Sequence, residues 1–200
     1  MNDKIPVIIK DPFIVKNIFT QEDLKNLQKY AMNLWINKPA YEPSFGRHEY
    51  FHNEEINRIH HTLTDLARNH FGSPTLKPSW AMLGIYEGEN AKLWKHKDDN
   101  ACTYSIDICV FQKTGWDVWV EVNGENRSYM LKENEGLFMY GNDQLHWRED
   151  FPEPESNLIC NAFFFFCEPD HWIFEHGPEY LHTHIRKDSP EDYHSRMAQK

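Results

Sequence analysis

The chain has 200 residues, 40% hydrophobic and 14% aromatic, which suits one packed domain and excludes a wholly disordered chain. Its formal net charge of −10 disfavours backbone-driven nucleic-acid binding, which needs clustered Lys and Arg. No run of about 18 apolar residues suggests a membrane span. The opening Met1-Asn2-Asp3-Lys4-Ile5-Pro6 lacks the basic-then-apolar order of a signal peptide, so the cytoplasm is the expected compartment.

Residues 5–19 are short apolar segments broken by Pro6 and Pro12 and read as strands. Thr20 opens an N-cap followed by acids, and Leu24, Leu27, Ala31, Leu34 and Trp35 recur at helical spacing, which predicts a helix over 21–35. Residues 37–52 carry Pro39, Pro43 and Gly46 and read as an irregular loop; its Tyr41, Phe45, Arg47 and His48 suit a lid or substrate-contacting segment. Asn53 caps a second helix whose buried face is Ile56, Ile59, Leu63, Leu66 and Ala67, stopped by Gly72 and Pro74. After Pro78 the pattern predicts strands near 80–87, 91–97, 101–112, 116–122, 127–131, 136–140 and 157–167. Asn123-Gly124 marks a hairpin. A short helix or turn is expected near 170–175.

These elements predict an α+β, mainly β fold: a double-stranded β-helix, the jelly-roll or cupin-like barrel, with N-terminal helices packed on one sheet. The expected layout is a single domain over 1–188, with a helical front at 1–78, the barrel at 79–168 and a His-rich extension at 169–188. A loose tail would follow at 189–200. The four cysteines, Cys102, Cys109, Cys160 and Cys167, contain no C-x-x-C pair and read as reduced core thiols.

The chemistry concentrates in His96-Lys97-Asp98. On a strand, positions i and i+2 point the same way, so an imidazole and a carboxylate can share one metal. His146 follows a strand-like run and a short turn and supplies the third ligand. Asp99 is the weaker carboxylate candidate, since its parity differs from that of Asp98. Two His and one carboxylate on one face of an octahedron suit non-haem iron(II), with positions left for a bidentate 2-oxo acid and dioxygen. Four histidines near the C-terminus, His171, His176, His182 and His184, lie among polar residues without an obvious carboxylate partner and read as surface groups.

The chain resembles the 2-oxoglutarate/iron(II) oxygenases, particularly small bacterial and phage proteins related to prolyl 4-hydroxylases. The segments that carry the likeness are SWAMLGIYEGENAKLWKHKD at 79–98, ACTYSIDICV at 101–110 and GLFMYGNDQLHWRED at 136–150. The resemblance implies iron(II) on His96, Asp98 and His146, 2-oxoglutarate as cosubstrate, and hydroxylation of a C–H bond with formation of succinate and CO2. The substrate would be a small molecule or a protein side chain. One departure stands out. Prolyl 4-hydroxylase-like members place a basic residue about ten positions past the distal His, where this chain has Pro154-Glu155-Ser156-Asn157-Leu158. Jumonji-like relatives instead anchor the far carboxylate with a Lys on the strand after H-x-D, which points to Lys113. Arg148 is the equal alternative, because it shares strand parity with His146; Arg127 and Lys92 compete. Tyr104 and Asn161 fall where such relatives contact the cosubstrate. Asp143 or Glu149 would orient the ligating imidazoles. Trp94, Trp116, Trp119 and Trp147 divide between strand packing and a substrate cleft. Two other functions remain: a cupin-like metal- or ligand-binding module without 2-oxoglutarate chemistry, and a metal-dependent isomerase or dioxygenase of the cupin type.

Overall fold

A computed structural model describes residues 11–37, 41–51 and 53–176. Strands 5–10, the His182/His184 pair and the 189–200 tail expected from sequence lie outside these residues.

Helix α1 (Gln21–Asn37) starts where Thr20 Oγ1 accepts the Asp23 backbone N–H at 3.1 Å. It buries Leu24, Leu27 and Ala31. The second predicted helix is two, α2 (Glu54–Thr62) and α3 (Thr64–Phe71). The Leu63 N–H is shared between the Ile59 and His60 carbonyls, which tightens the turn between them. Asn53 caps α2 through the Glu55 N–H, and Gly72 closes α3 in the left-handed region at φ 71°.

Among the described residues, eleven strands form two antiparallel sheets. The large sheet holds β1 (Phe13–Lys16), β2 (Tyr41–Glu42), β3 (Arg47–Phe51), β4 (Lys77–Glu87), β6 (Tyr104–Gln112), β9 (Glu135–Met139) and β11 (Leu158–Cys167) in the order β1-β9-β6-β11-β4-β3-β2. The small sheet holds β5 (Leu93–His96), β7 (Val118–Val122), β8 (Glu125–Tyr129) and β10 (His146–Arg148) in the order β5-β10-β7-β8. From β4 onward the chain passes repeatedly between the sheets, which makes the expected double-stranded β-helix. Helix α4 (Ile173–His176) follows β11.

Alternation assigns the faces. On β11, Phe164 and Phe166 face the helices and pack with Leu27, Ile56, Ile59 and Phe71, so the helices cover the outer face of the large sheet. Phe163 and Phe165 face inward with Met82, Tyr86 and Trp116. Val118, Val120 and Val122 of β7 meet Cys109, Leu137 and Met139 across the barrel. All four cysteines are buried free thiols. Asn123 and Gly124 turn β7 into β8, both at positive φ. Residues 37–52 are less irregular than expected, since β2 and β3 extend the large sheet. The sequence Arg47-His48-Glu49-Tyr50-Phe51 hides this strand because its inward residues, Arg47 and Glu49, are charged and satisfy each other. No helix among the described residues is long and apolar enough to cross a membrane.

His60 of α2 is buried against Phe164 and Phe166, and its Nε2 donates to the Phe165 carbonyl at 2.8 Å. Burial depresses its pKa to about 3. The unfolded chain takes up this proton below a pH of about 6.5 and the folded chain does not, so stability is lost as pH falls through that window, at about 1.4 kcal/mol per unit. Denaturant titrations of His60→Gln between pH 6.5 and 4 should therefore show a shallower acid loss than the native chain; parallel losses would contradict this role.

Candidate metal centre

The small sheet positions two of the three predicted ligands. β10 and β5 pair antiparallel with His146 opposite His96, and a register shift follows before Arg148 meets Leu93. This bulge turns Leu93 and His96 inward while Trp94 and Lys95 face out. The imidazole rings lie 4.3 Å apart between centroids. Each ring is fixed by the carbonyl two residues before it: His96 Nδ1 donates to Trp94 O at 2.6 Å and His146 Nδ1 to Gln144 O at 3.0 Å. Both Nε2 atoms then face Asp98 Oδ1, at 3.5 and 3.6 Å. Backbone carbonyls do the orienting expected of Asp143 or Glu149. Asp143 is exposed in the turn, and the Glu149 carboxylate accepts Trp147 Nε1 instead.

Asp98 lies just beyond β5, where its N–H donates to Gly141 O at 2.9 Å. Asp99 points elsewhere and accepts the Ala101 N–H of a 3-10 turn. One ligand atom from each of His96, Asp98 and His146 lies within 4.8 Å of the others, a spacing that fits a single metal ion. The donor set of two neutral-capable imidazoles and one carboxylate suits a divalent transition metal. Burial works against the Asp98 charge, yet His146 and His96 hold its carboxyl well below the usual range. Burial and the neighbouring His146 lower the His96 pKa. For His146 burial is outweighed by Asp98, and its pKa rises.

The inner face of the barrel carries two buried guanidiniums in opposite electrostatic states. Arg47, 6% exposed, donates through Nε to Glu49 Oε1 at 2.8 Å and through Nη1 to the Tyr86 hydroxyl, and stacks 4.4 Å above the Phe45 ring. Burial works against its charge, but Tyr86 and Glu49 raise its pKa. Arg148, 7% exposed, donates to the Trp116 carbonyl, and its Nη2 lies 2.8 Å from the Asn161 side-chain amide, whose oxygen accepts it in the amide orientation that satisfies both of its ends. Among the described residues it forms no ion pair, and burial lowers its pKa against the weaker pull of Tyr86 and Asp107. Asp107, 5% exposed, shares this inner face; its hydrogen-bond donor is Ser105 Oγ at 2.6 Å. Burial, reinforced by Asp98, pushes its pKa up to about 6.

The remaining sequence candidates separate by face. Lys113 lies past the end of β6 on the outside, where Nζ donates to Ser156 O at 2.9 Å beside a surface depression shared with Trp35 and Glu87. Tyr104 faces the helices, packs on Phe71 and Tyr140, and donates to Glu168 Oε1 at 3.2 Å. Arg127 pairs with Asp11 at 2.7 Å, and Lys92 lies over the Trp94 ring. Asn161 is inside, 1% exposed. Trp116 is inside against Tyr86, whereas Trp119 and Trp147 stack on the opposite face of the small sheet. Sequence reasoning passed over Asp107, Glu49 and Tyr86. The signal for Asp107 was present: in Ser105-Ile106-Asp107-Ile108-Cys109 one parity is apolar and the other polar, so the carboxylate faces the barrel.

Gly141 fits the triad closely: a Cβ there would overlap Asp98 Oδ2. A Cβ there would also press on the Cys102 carbonyl, so Gly141→Ala should displace the carboxylate, weaken divalent-metal affinity by about ten- to hundred-fold in calorimetry, and lower the thermal unfolding temperature of the metal-free chain. Unaltered affinity would contradict this packing role.

No family model matches the chain, and no curated protein matches it. Solved structures do. The non-haem alpha-ketoglutarate-dependent epimerase SnoN from nogalamycin biosynthesis is 10% identical with a TM-score of 0.63, over 78% of this chain and 77% of that one. A Pseudomonas putida prolyl-4-hydroxylase is 10% identical with a TM-score of 0.61, over 77% and 91%. EctD from S. alaskensis with bound Fe is 15% identical with a TM-score of 0.63, over 78% and 72%. The chain has the double-stranded β-helix fold of the 2-oxoglutarate/iron(II) oxygenases.

Proposed function

We propose that this protein is an iron(II)- and 2-oxoglutarate-dependent oxygenase that hydroxylates a C–H bond of a small molecule or a protein side chain, with Arg148 rather than Lys113 as the cosubstrate anchor. The observation that carries the reading is the pairing of a His96–Asp98–His146 cluster, its imidazoles buried, with a buried guanidinium that lacks a carboxylate partner among the described residues. Both groups face the same interior. His146 and Arg148 are two residues apart on β10, about 7 Å at the usual strand rise, which is the length scale of a five-carbon diacid.

His96 and His146 would bind iron through Nε2, their Nδ1 atoms being occupied by carbonyls, and Asp98 would give the third bond. Iron(II) with bound 2-oxoglutarate would supply the oxidising power, with succinate and CO2 as coproducts. The chain's own work is binding, orientation and exclusion of water. Arg148, held by Trp116 O and Asn161, would receive the far carboxylate in a charge-assisted pair. Phe163, Leu137 and Met82 would wall the chamber against solvent.

Anaerobic titration should give one iron(II) per chain, lost in His96→Ala. The affinity for 2-oxoglutarate should fall by about thirty-fold or more in Arg148→Ala and stay unchanged in Lys113→Ala. Succinate should form when dioxygen is admitted. Absence of iron binding would overturn the reading, and iron binding without 2-oxoglutarate affinity would favour a cupin-like metal-binding module.

A further inference from the structure

We propose that the substrate is a cation, a molecule or side chain bearing an ammonium or guanidinium group, and that Asp107 is the residue that selects it. The proposal rests on the oxygenase reading above and adds a substrate class to it.

Arg47 and Glu49 neutralise each other within the barrel wall. Among the described residues, Arg148 and Asp107 are the other buried charges on this face near the triad; Glu135 is paired with Lys16, and the half-buried Asp117, next to Trp116 in sequence, adds a weaker pull on Arg148. Arg148 draws the Asp107 pKa down and Asp107 draws that of Arg148 up, so the two are within electrostatic reach. A dication on Asp98 and a dianionic cosubstrate on Arg148 sum to zero. Asp107 is then left as a buried carboxylate with one serine hydroxyl as its donor. A buried ionised carboxylate without a counter-charge costs several kcal/mol, so the assembled site calls for one more positive group.

Asp107 sits on β6 in register with Phe163 of β11 and Leu137 of β9. Asn161, which meets Arg148, is two residues further along β11, opposite Cys109. Ser105 lies two residues the other way, beside Phe165 and Met139. The start of β6 adjoins the Asp98–Cys102 loop, so Asp107 lies between the ligand-bearing end and the Arg148 level. Its electrostatic partners, Asp98 and His146 on one side and Arg148 on the other, agree with that placement. Aromatic faces stand close by: Phe163 is its cross-strand neighbour, and the Phe45 ring lies 6.3 Å from the His96 ring. Rings beside a carboxylate favour a cation that meets both.

A proton on Asp107 could fill the same electrostatic need, and the experiment separates the two. Full-length protein is loaded anaerobically with iron(II) and 2-oxoglutarate in calorimetry buffers of differing ionisation enthalpy. It is then titrated with 1,5-diaminopentane and choline, each against a neutral counterpart, 1,5-pentanediol and 3,3-dimethyl-1-butanol. The proposal expects no proton uptake with 2-oxoglutarate. It expects at least one cation to bind about thirty-fold or more tightly than its counterpart, and this preference to vanish in Asp107→Asn while that variant still binds iron(II). Uptake of about one proton per 2-oxoglutarate, abolished by Asp107→Asn, would overturn it. So would the absence of any cation preference, or a preference that survives the substitution. Failure to form the iron–cosubstrate complex at all would instead sink the oxygenase reading.

Discussion

The cross-strand register that sets His146 of β10 opposite His96 of β5 is what the rest of the site is arranged around. It brings two imidazoles side by side, tilted at 51°, from segments fifty residues apart in sequence. A one-residue slip would send one of them to solvent, since strand side chains alternate. The surrounding features hold that register in place. The bulge in β5 keeps Leu93 in the core while His96 faces the barrel, and Gly141 makes room for Asp98 while its carbonyl takes the Asp98 N–H. The valines of β7 pin β10 from its other side.

The large sheet supplies what the small one lacks. Its outer face is occupied by helices α1 to α3 and a continuous apolar core, so its inner face is free to carry polar groups. Two arginines line the interior with opposite fates, Arg47 from β3 of the large sheet and Arg148 from β10 of the small one. Arg47 is neutralised within two residues by Glu49 and braced by Tyr86, and it belongs to the wall. Arg148 has only neutral acceptors, a carbonyl and an amide oxygen, and burial lowers its pKa. A protein tolerates a buried guanidinium in that state where a ligand's anion completes it. The difference between the two arginines is therefore the clearest local sign of where a carboxylate is received.

Much of this was legible in the sequence because it followed from parity and order. The i, i+2 relation of His96 and Asp98, the distal His146 after a glycine-bounded strand, and the four phenylalanines filling both faces of β11 all follow from strand alternation. Arg148 could be ranked with Lys113 but not above it. Its parity with His146 was readable, whereas the outward turn of the chain after Gln112, which leaves Lys113 on Ser156, depends on the tertiary course of residues 152–157. β3 was illegible for a related reason: its inward residues are charged, so burial left no apolar pattern. The carbonyls that orient both imidazoles have no sequence signature, because any residue can supply them.

The central claim is that one interior holds a metal on His96, Asp98 and His146 and a carboxylate on Arg148. A crystal structure grown anaerobically with iron(II) and 2-oxoglutarate tests it most directly. The account predicts metal density bonded to Nε2 of both histidines and to the Asp98 carboxylate, with the far carboxylate of the diacid paired to Arg148. Metal at any other residues, or a diacid seated against Lys113 on the outer surface, would contradict it.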